Sequence, residues 1–186
     1  MSKPKLICVI GRTSAGKDTL AYTLSIHTGI KIIVSYTTRP KRVGENNGDE
    51  HWFITEEEYQ EKYADKEKLA YTEINGFKYF TIPEQIENSE RKTLFYIIDP
   101  QGYYNLYYKF KDKIDIKTIY VEAPRELRKA RYNNRESGIT PEIPFDERDA
   151  AEDKQFTEFE SIRKDKCDII VNTENIDLLR FIYDYD

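Results

Sequence analysis

Only two cysteines occur in the 186 residues. Cys8 lies in the apolar run LICVI and Cys167 stands beside DIIV. Each therefore reads as a buried thiol in a strand, and neither a disulfide framework nor a cysteine metal site is expected. Such usage suits a reducing cytoplasm. Long apolar runs are missing as well. No stretch approaches the roughly 20 residues of a membrane span, and the opening MSKPKLICVIG lacks a signal-peptide layout. The expectation is a soluble cytoplasmic protein without a membrane partner. Excess positive charge is also absent: 29 Lys and Arg face 34 Asp and Glu, giving a net charge of −5. Without a global basic field no nucleic-acid partner is expected, although small anionic ligands fit if positive charge gathers in one cleft. Internal repeats, low-complexity tracts and flexible linkers are not found.

What the chain does contain, 39% hydrophobic and 34% charged residues, suits a single globular domain with a substantial core. Apolar, β-branched runs occur at KLICVI, IKIIVS, TLFYIID, IKTIYVE and CDIIVN, each long enough for a buried strand. Helical patterns lie at 17–27, 100–110, 124–134, 145–164 and 176–183. The alternation predicts an α/β fold with a mostly parallel sheet and helices on both faces. Residues 36–90 form a more polar insert, too long for a simple crossover. Within it, Thr55-Glu56-Glu57-Glu58 is a capping-box start, and LAYTEI and FKYFTI flank the hairpin turn Asn75-Gly76.

The stretch GRTSAGKDTL, residues 11–20, follows a predicted strand and opens a predicted helix, the context a phosphate-binding Gly-x-x-x-x-Gly-Lys loop requires. Gly11, Arg12, Thr13, Ser14, Ala15 and Gly16 would turn successive N–H groups toward a polyphosphate, with Lys17 reaching its outer phosphates. The alternative is a glycine-rich turn that holds nothing. Asp18 stands where a serine or threonine hydroxyl normally meets Mg²⁺. A carboxylate is a harder ligand for that ion but repels the phosphates. Thr19 cannot simply substitute, since adjacent helical residues face different directions. A second constellation, VSYTTRPKRVGENNGDEHWF, brings Arg39, Lys41 and Arg42 within four positions beside Ser35, Thr37 and Thr38. Two guanidinium forks on a proline-stiffened loop suit a phosphate; a solvated basic turn is the plainer reading.

Together these two motifs resemble those of guanylate kinases, the family that moves the γ-phosphate of ATP to GMP. GRTSAGKDTL and SYTTRPKRVGENNGDEHWF keep the family spacing, although Arg39-Pro40-Lys41-Arg42 shifts the proline by one place. NGFKYFT, YIIDPQG and EAPRELRKARYNNR are similar to later family motifs, so the resemblance runs over nearly the whole chain. It implies a P-loop nucleoside monophosphate kinase fold: a core at 1–35 and 91–186, a β-rich monophosphate-binding insert near 36–90 and a short lid near 135–147. It further implies ATP and Mg²⁺ as donor and cofactor and small nucleotides as partners.

The family's phosphate-gripping residues match Ser35, Arg39, Arg42 and Tyr79, its lid arginines match Arg131 and Arg135, and Arg148 matches a third arginine beyond the lid. Asp99 occupies the place of a strand-end carboxylate that meets Mg²⁺ or the acceptor. Two plainer roles remain open: Tyr79 as a cross-strand core partner, and Asp99 as a helix cap. The departures concern the acceptor. Counting back six residues from Gly76, where the family carries a guanine-reading glutamate, gives Ala70. His51 replaces a tyrosine. Thr81 matches the family's Ser/Thr, or caps a helix starting at Pro83. The expected activity is phosphoryl transfer to GMP or dGMP. The alternatives are a kinase of the same fold acting on another deoxy- or modified nucleotide, and a non-catalytic binding module.

Overall fold

The computed structural model describes residues 3–87, 89, 92–135 and 143–172, apart from the side chains at 135 and 164. The predicted helix at 176–183 and most of the predicted lid lie outside them. Eight strands and six helices are assigned among the described residues: β1 (Lys5–Ile10), α1 (Lys17–Thr28), β2 (Tyr36–Thr37), β3 (Trp52–Phe53), α2 (Glu56–Lys62), β4 (Ala70–Ile74), β5 (Phe77–Thr81), α3 (Glu84–Glu87), β6 (Thr93–Ile97), α4 (Pro100–Phe110), β7 (Asp115–Glu122), α5 (Arg125–Arg135), α6 (Phe145–Lys166) and β8 (Ile169–Asn172). No described helix is long and apolar enough to cross a membrane.

The central sheet runs β6-β1-β7-β8, every pair parallel. Its strands read as continuous apolar runs because both faces are covered. Alternation then sorts the side chains: Leu6, Cys8 and Ile10 of β1 pack with Tyr103, Leu106 and Phe110 of α4 and with Phe156 and Phe159 of α6. Ile7 and Val9 turn to Leu20, Ala21 and Leu24 of α1. Helices therefore cover both faces, as the pattern of runs implies. Cys8 lies in the first layer, fully buried, and burial pushes its thiol far above the ordinary range. Cys167 is pushed up to about 12, again by burial.

One expected strand is corrected. The run IKIIVS makes only an isolated parallel bridge, Ile32 to Phe95. Its backbone is claimed by other partners: the Val34 carbonyl accepts from Gln85 Nε2 at 2.7 Å, and the Ser35 carbonyl accepts from the Trp52 N–H at 2.9 Å. Those bonds divert the chain from the core sheet into a second one, ordered β3-β2-β5-β4.

Within the second sheet, the β4–β5 hairpin turns at Asn75 (φ 52°) and Gly76 (φ 76°), the left-handed pair an Asn-Gly turn supplies. Thr55 and Glu58 close the predicted capping box on α2. Phe80 and Ile82 pack with Tyr59, flanked by Tyr36 and Tyr63. Gly48, at φ 94°, lies under the Trp52 indole so closely that a Cβ would stand 2.9 Å from the ring. The hairpin docks on the core through buried hydroxyls: Thr81 Oγ1 lies 2.9 Å from Tyr96 Oη, and Thr72 donates to Asp99 at 2.9 Å. The Asn105 amide adds a bond to the Tyr71 carbonyl at 3.1 Å.

Gly11 ends β1 where it meets β7, and a Cβ there would stand 2.6 Å from the Val121 carbonyl oxygen. Neither partner is a flexible side chain, so Gly11→Ala must push the loop crown away from the sheet. The expected cost is about 1–3 kcal/mol, a fall of roughly 2–10 °C in Tm for a chain of this size. Calorimetry of the variant checks it.

Candidate functional site

The loop at 11–16 delivers α1 with its N-terminus open. Gly16 takes φ 100° at the N-cap and no side chain caps the helix, so the first-turn N–H groups face the loop's hollow. Ser14, at φ 59°, is one of two non-glycine residues with positive φ among those described, a conformation loops adopt where N–H groups converge on an anion. A tight turn from Ala15 N–H to the Arg12 carbonyl, at 3.0 Å, holds the crown. Lys17 heads the helix, and its ammonium is 3.0 Å from the Asp18 carboxylate.

Not every loop residue faces the hollow. The Arg12 side chain turns to α6, where Nε donates to Glu160 at 2.7 Å and Nη1 to Asp153 at 2.6 Å. Thr19 is exposed on α1 and Ala15 is buried in the core. The Asp18 carboxylate is half exposed at the mouth, an accessible hard-oxygen donor.

A cleft of about 460 Å³ connects the loop with the second sheet, lined among others by Lys17, Asp18, Ser35, His51, Ala70, Tyr79, Asp99 and Arg148. The basic stretch, Arg39 included, does not line the cleft but adjoins it through His51, on which the Arg39 charge acts, and it is organised by a residue that sequence reasoning did not single out. Glu45 accepts from Arg39 Nη2 and from the Arg42 backbone N–H, both at 2.8 Å. Its position inside the motif, after the loop's glycine, was the available signal. Burial works to raise the Glu45 pKa, but the Arg39 hydrogen bond and the Arg42 amide bring it below the usual carboxylate range. Arg39 is buried, its guanidinium 5.3 Å from the Phe53 ring centre. The Arg42 side chain is exposed and does not line the cleft.

His51 Nδ1 and Ser35 Oγ are hydrogen-bonded at 2.9 Å, and the imidazole lies edge-on to Tyr79 with centroids 5.5 Å apart. Tyr79 is paired in the hairpin and also lines the cleft. Thr81 is fully buried, bonded to Tyr96 and absent from the cleft wall. It caps nothing, because α3 starts only at Glu84. Tyr96, another residue missed from sequence, lines the cleft beside it. Asp99 combines two roles, accepting the Gly102 N–H as N-cap of α4 and lining the cleft; burial raises its pKa against the pull of Gly102 and Thr72. Ala70 is 2% exposed and leaves a wall without a carboxylate. Glu73 does not replace it, being exposed and bonded to the Tyr71 hydroxyl.

The arginines of α5 and α6 divide. Arg131 donates to the Ala15 carbonyl at 3.2 Å and Arg148 to Thr13 Oγ1 at 2.8 Å, so both reach the loop. The Arg135 side chain lies outside the described residues. Arg128, by contrast, is buried against Asp149 at 2.6 Å. No group of three His, Cys, Asp or Glu suited to a metal is found among the described residues.

A parallel sheet whose first strand runs into a glycine loop at an open helix N-terminus, with a lysine and two arginines around it, defines a P-loop fold. The guanylate kinase family model matches residues 3–178, and the chain belongs to that family. A guanylate kinase of Symbiobacterium thermophilum is 45% identical over 83 residues, 43% of this chain and 39% of that one. One of Fusobacterium nucleatum is 32% identical over 114 residues, 60% of this chain and 62% of its own. The chain thus spans less than two thirds of these curated relatives. With the guanylate kinase of Thermotoga maritima, 29% identity extends over 94% of this chain and 82% of the relative. A crystal structure of guanylate kinase from Anaplasma phagocytophilum shares the fold at TM-score 0.67 and 20% identity, covering 98% of this chain and 85% of that one.

Burial lowers the His51 pKa, reinforced by the charge of Arg39 and opposed by Glu45, Ser35 and Asp18. The fold therefore accommodates the neutral ring. Its contribution to stability is complete above the ordinary value of 6.5 and is lost as pH falls from there through the lower folded value. Melting curves between pH 7 and 5 should show Tm falling in the parent and a shallower fall in His51→Gln. Equal slopes would mean that protonating His51 does not destabilise the fold.

Proposed function

We propose that the protein transfers the γ-phosphate of ATP directly to a nucleoside monophosphate, with GMP or dGMP as the favoured acceptor. The observation that carries this reading is the single cleft: Lys17 and Arg148 line one end, and Ser35, His51 and Tyr79 line the other. A donor triphosphate on the loop and an acceptor phosphate near Ser35, His51 and Tyr79 would then meet without crossing solvent. We further propose that the second sheet is the acceptor-binding insert and that the stretch near 135–147 is the lid.

In this reading the loop N–H groups and Lys17 bind the β- and γ-phosphates. Arg131 and Arg148 neutralise charge that builds up on the moving phosphoryl group, and Arg135 joins them from the lid. Transfer through a loose transition state asks for this positioning and charge more than for covalent chemistry, and no enzyme-bound intermediate is needed. Asp99 orients the acceptor, its carboxylate fixed by Thr72 and Gly102. Asp18 fits a Mg²⁺ ligand, since a half-exposed carboxylate beside phosphate oxygens is the donor set that ion accepts; the bound ion would supply charge neutralisation between the phosphates. The two thiols, held protonated, suit work in a reducing cytoplasm.

The glycines and lysine of the loop favour catalysis over a non-catalytic binding module. Lys17→Ala is expected to lose about a hundredfold or more in kcat while nearly keeping its melting temperature, because the lysine belongs to none of the core clusters and its ion-pair partner Asp18 is half exposed. A coupled assay for ADP release checks it, and near-normal turnover would end the kinase reading.

Ala70 favours a second reading, in which the acceptor base is less strictly guanine. A site built to pair with a base edge rejects analogues because its own polar groups would be stranded, and this wall has lost one such group. The parent should therefore discriminate weakly among GMP, dGMP, AMP, dTMP and dCMP in kcat/KM. Ala70→Glu should raise the preference for GMP by about 10- to 100-fold, the worth of a charged hydrogen bond. A parent that already excludes every non-guanine acceptor would show that another residue supplies the contact.

A further inference from the structure

Thr13, at the crown of the loop, is held by a residue outside every motif described above. Its backbone N–H donates to Glu152 Oε2 at 2.9 Å and its hydroxyl donates to Glu152 Oε1. The same hydroxyl accepts from Arg148 Nε at 2.8 Å. A threonine hydroxyl donates once and accepts twice, so Thr13 relays between the carboxylate and the guanidinium. Arg148 and Glu152 are four residues apart on α6, with Nε and Oε1 separated by 3.8 Å, and both line the cleft. A carboxylate beside a phosphate-binding loop repels the triphosphate expected there. Its presence therefore needs a compensating task.

We propose that Glu152 is a positioning residue for Arg148, acting through Thr13. An arginine side chain has several rotatable bonds and loses much freedom when fixed. Here the fixing is done at Nε, before nucleotide arrives, by a hydroxyl that Glu152 orients. The guanidinium is then already turned to the loop mouth where the proposed reaction needs positive charge. Preorganised charge of this kind acts on the transition state rather than on ground-state binding. The inference rests on the proposed phosphoryl transfer, and its signature separates it from plain structural support: losing Glu152 lowers kcat, while KM for ATP stays level or falls because a negative charge has gone.

The test uses the full chain with ATP and GMP, measuring kcat and KM for ATP in the parent, Glu152→Ala, Thr13→Val and the double variant, with melting curves for each. Glu152→Ala should lose about 10- to 100-fold in kcat, the scale of a misaligned catalytic group, with KM for ATP not raised. Thr13→Val, which deletes only a hydroxyl, should lose a similar factor. The double variant should be no worse than the poorer single one, because both break the same relay. The proposal is overturned if Glu152→Ala keeps kcat within about twofold of the parent, if KM rises as kcat falls, or if the two losses multiply. If Glu152→Ala does not fold, a Thr13→Val enzyme of parental kcat overturns it alone. A parent that turns over no nucleoside monophosphate sinks the kinase reading, and this inference with it, whereas a working parent with an indifferent Glu152→Ala sinks the inference alone.

Discussion

The guanidinium of Arg12 joins the phosphate loop to the longest helix, and much of the cleft depends on that joint. Its side chain is only 11% exposed and lies between Glu160, Asp153 and, at 3.7 Å, Asp149. Glu160 first, then Asp153, hold it charged against the cost of burial. The acids are shared in turn. Asp149 also receives Arg125 at 3.0 Å and Arg128 at 2.6 Å, while Glu160 receives the Tyr120 hydroxyl of β7 at 2.5 Å. One network thus ties the loop, α5, α6 and the central sheet. A single buried pair of this kind contributes little beyond its own desolvation. What the network does fix is direction: it holds α6 in the register in which Arg148 and Glu152 meet the loop crown.

The opposite end of the cleft obeys a different constraint. Arg39 is buried where water cannot neutralise it, so the chain supplies Glu45 as counter-ion and the Pro40 carbonyl as acceptor at 2.8 Å. That arrangement leaves His51 as the titratable neighbour of a fixed positive charge, which adds to burial in lowering the pKa of its ring.

The core was legible in the sequence because its strands are buried on both faces and so read as uninterrupted apolar runs. The loop and the Asn75-Gly76 hairpin were legible because their backbone angles demand particular residues. IKIIVS misled for the same reason that the others succeeded: it is apolar and β-branched, but its carbonyls bond to Gln85 and Trp52, which lie 51 and 17 residues further on. Pattern carries no information about such distant competitors. The burial of the Arg12 and Arg128 side chains is not visible in their local pattern, because it follows from acids in a helix that starts more than ten residues beyond Arg128. Glu45 has its place after Gly44 in the basic motif as its one signal, whereas Glu152 is an isolated glutamate in a chain with 34 acidic residues and has no pattern to announce it.

The seat of Trp52 has an optical consequence. It is the one tryptophan of the chain, 40% exposed, on a strand two residues long and resting on Gly48. The central sheet and the phosphate loop contain no indole at all, so their motions are silent at excitation wavelengths beyond tyrosine absorption. Emission there originates wholly from the strand that carries His51 and Phe53 toward Arg39. The chain thus carries a built-in fluorophore for one end of the cleft, distinct from the fifteen tyrosines spread through the rest.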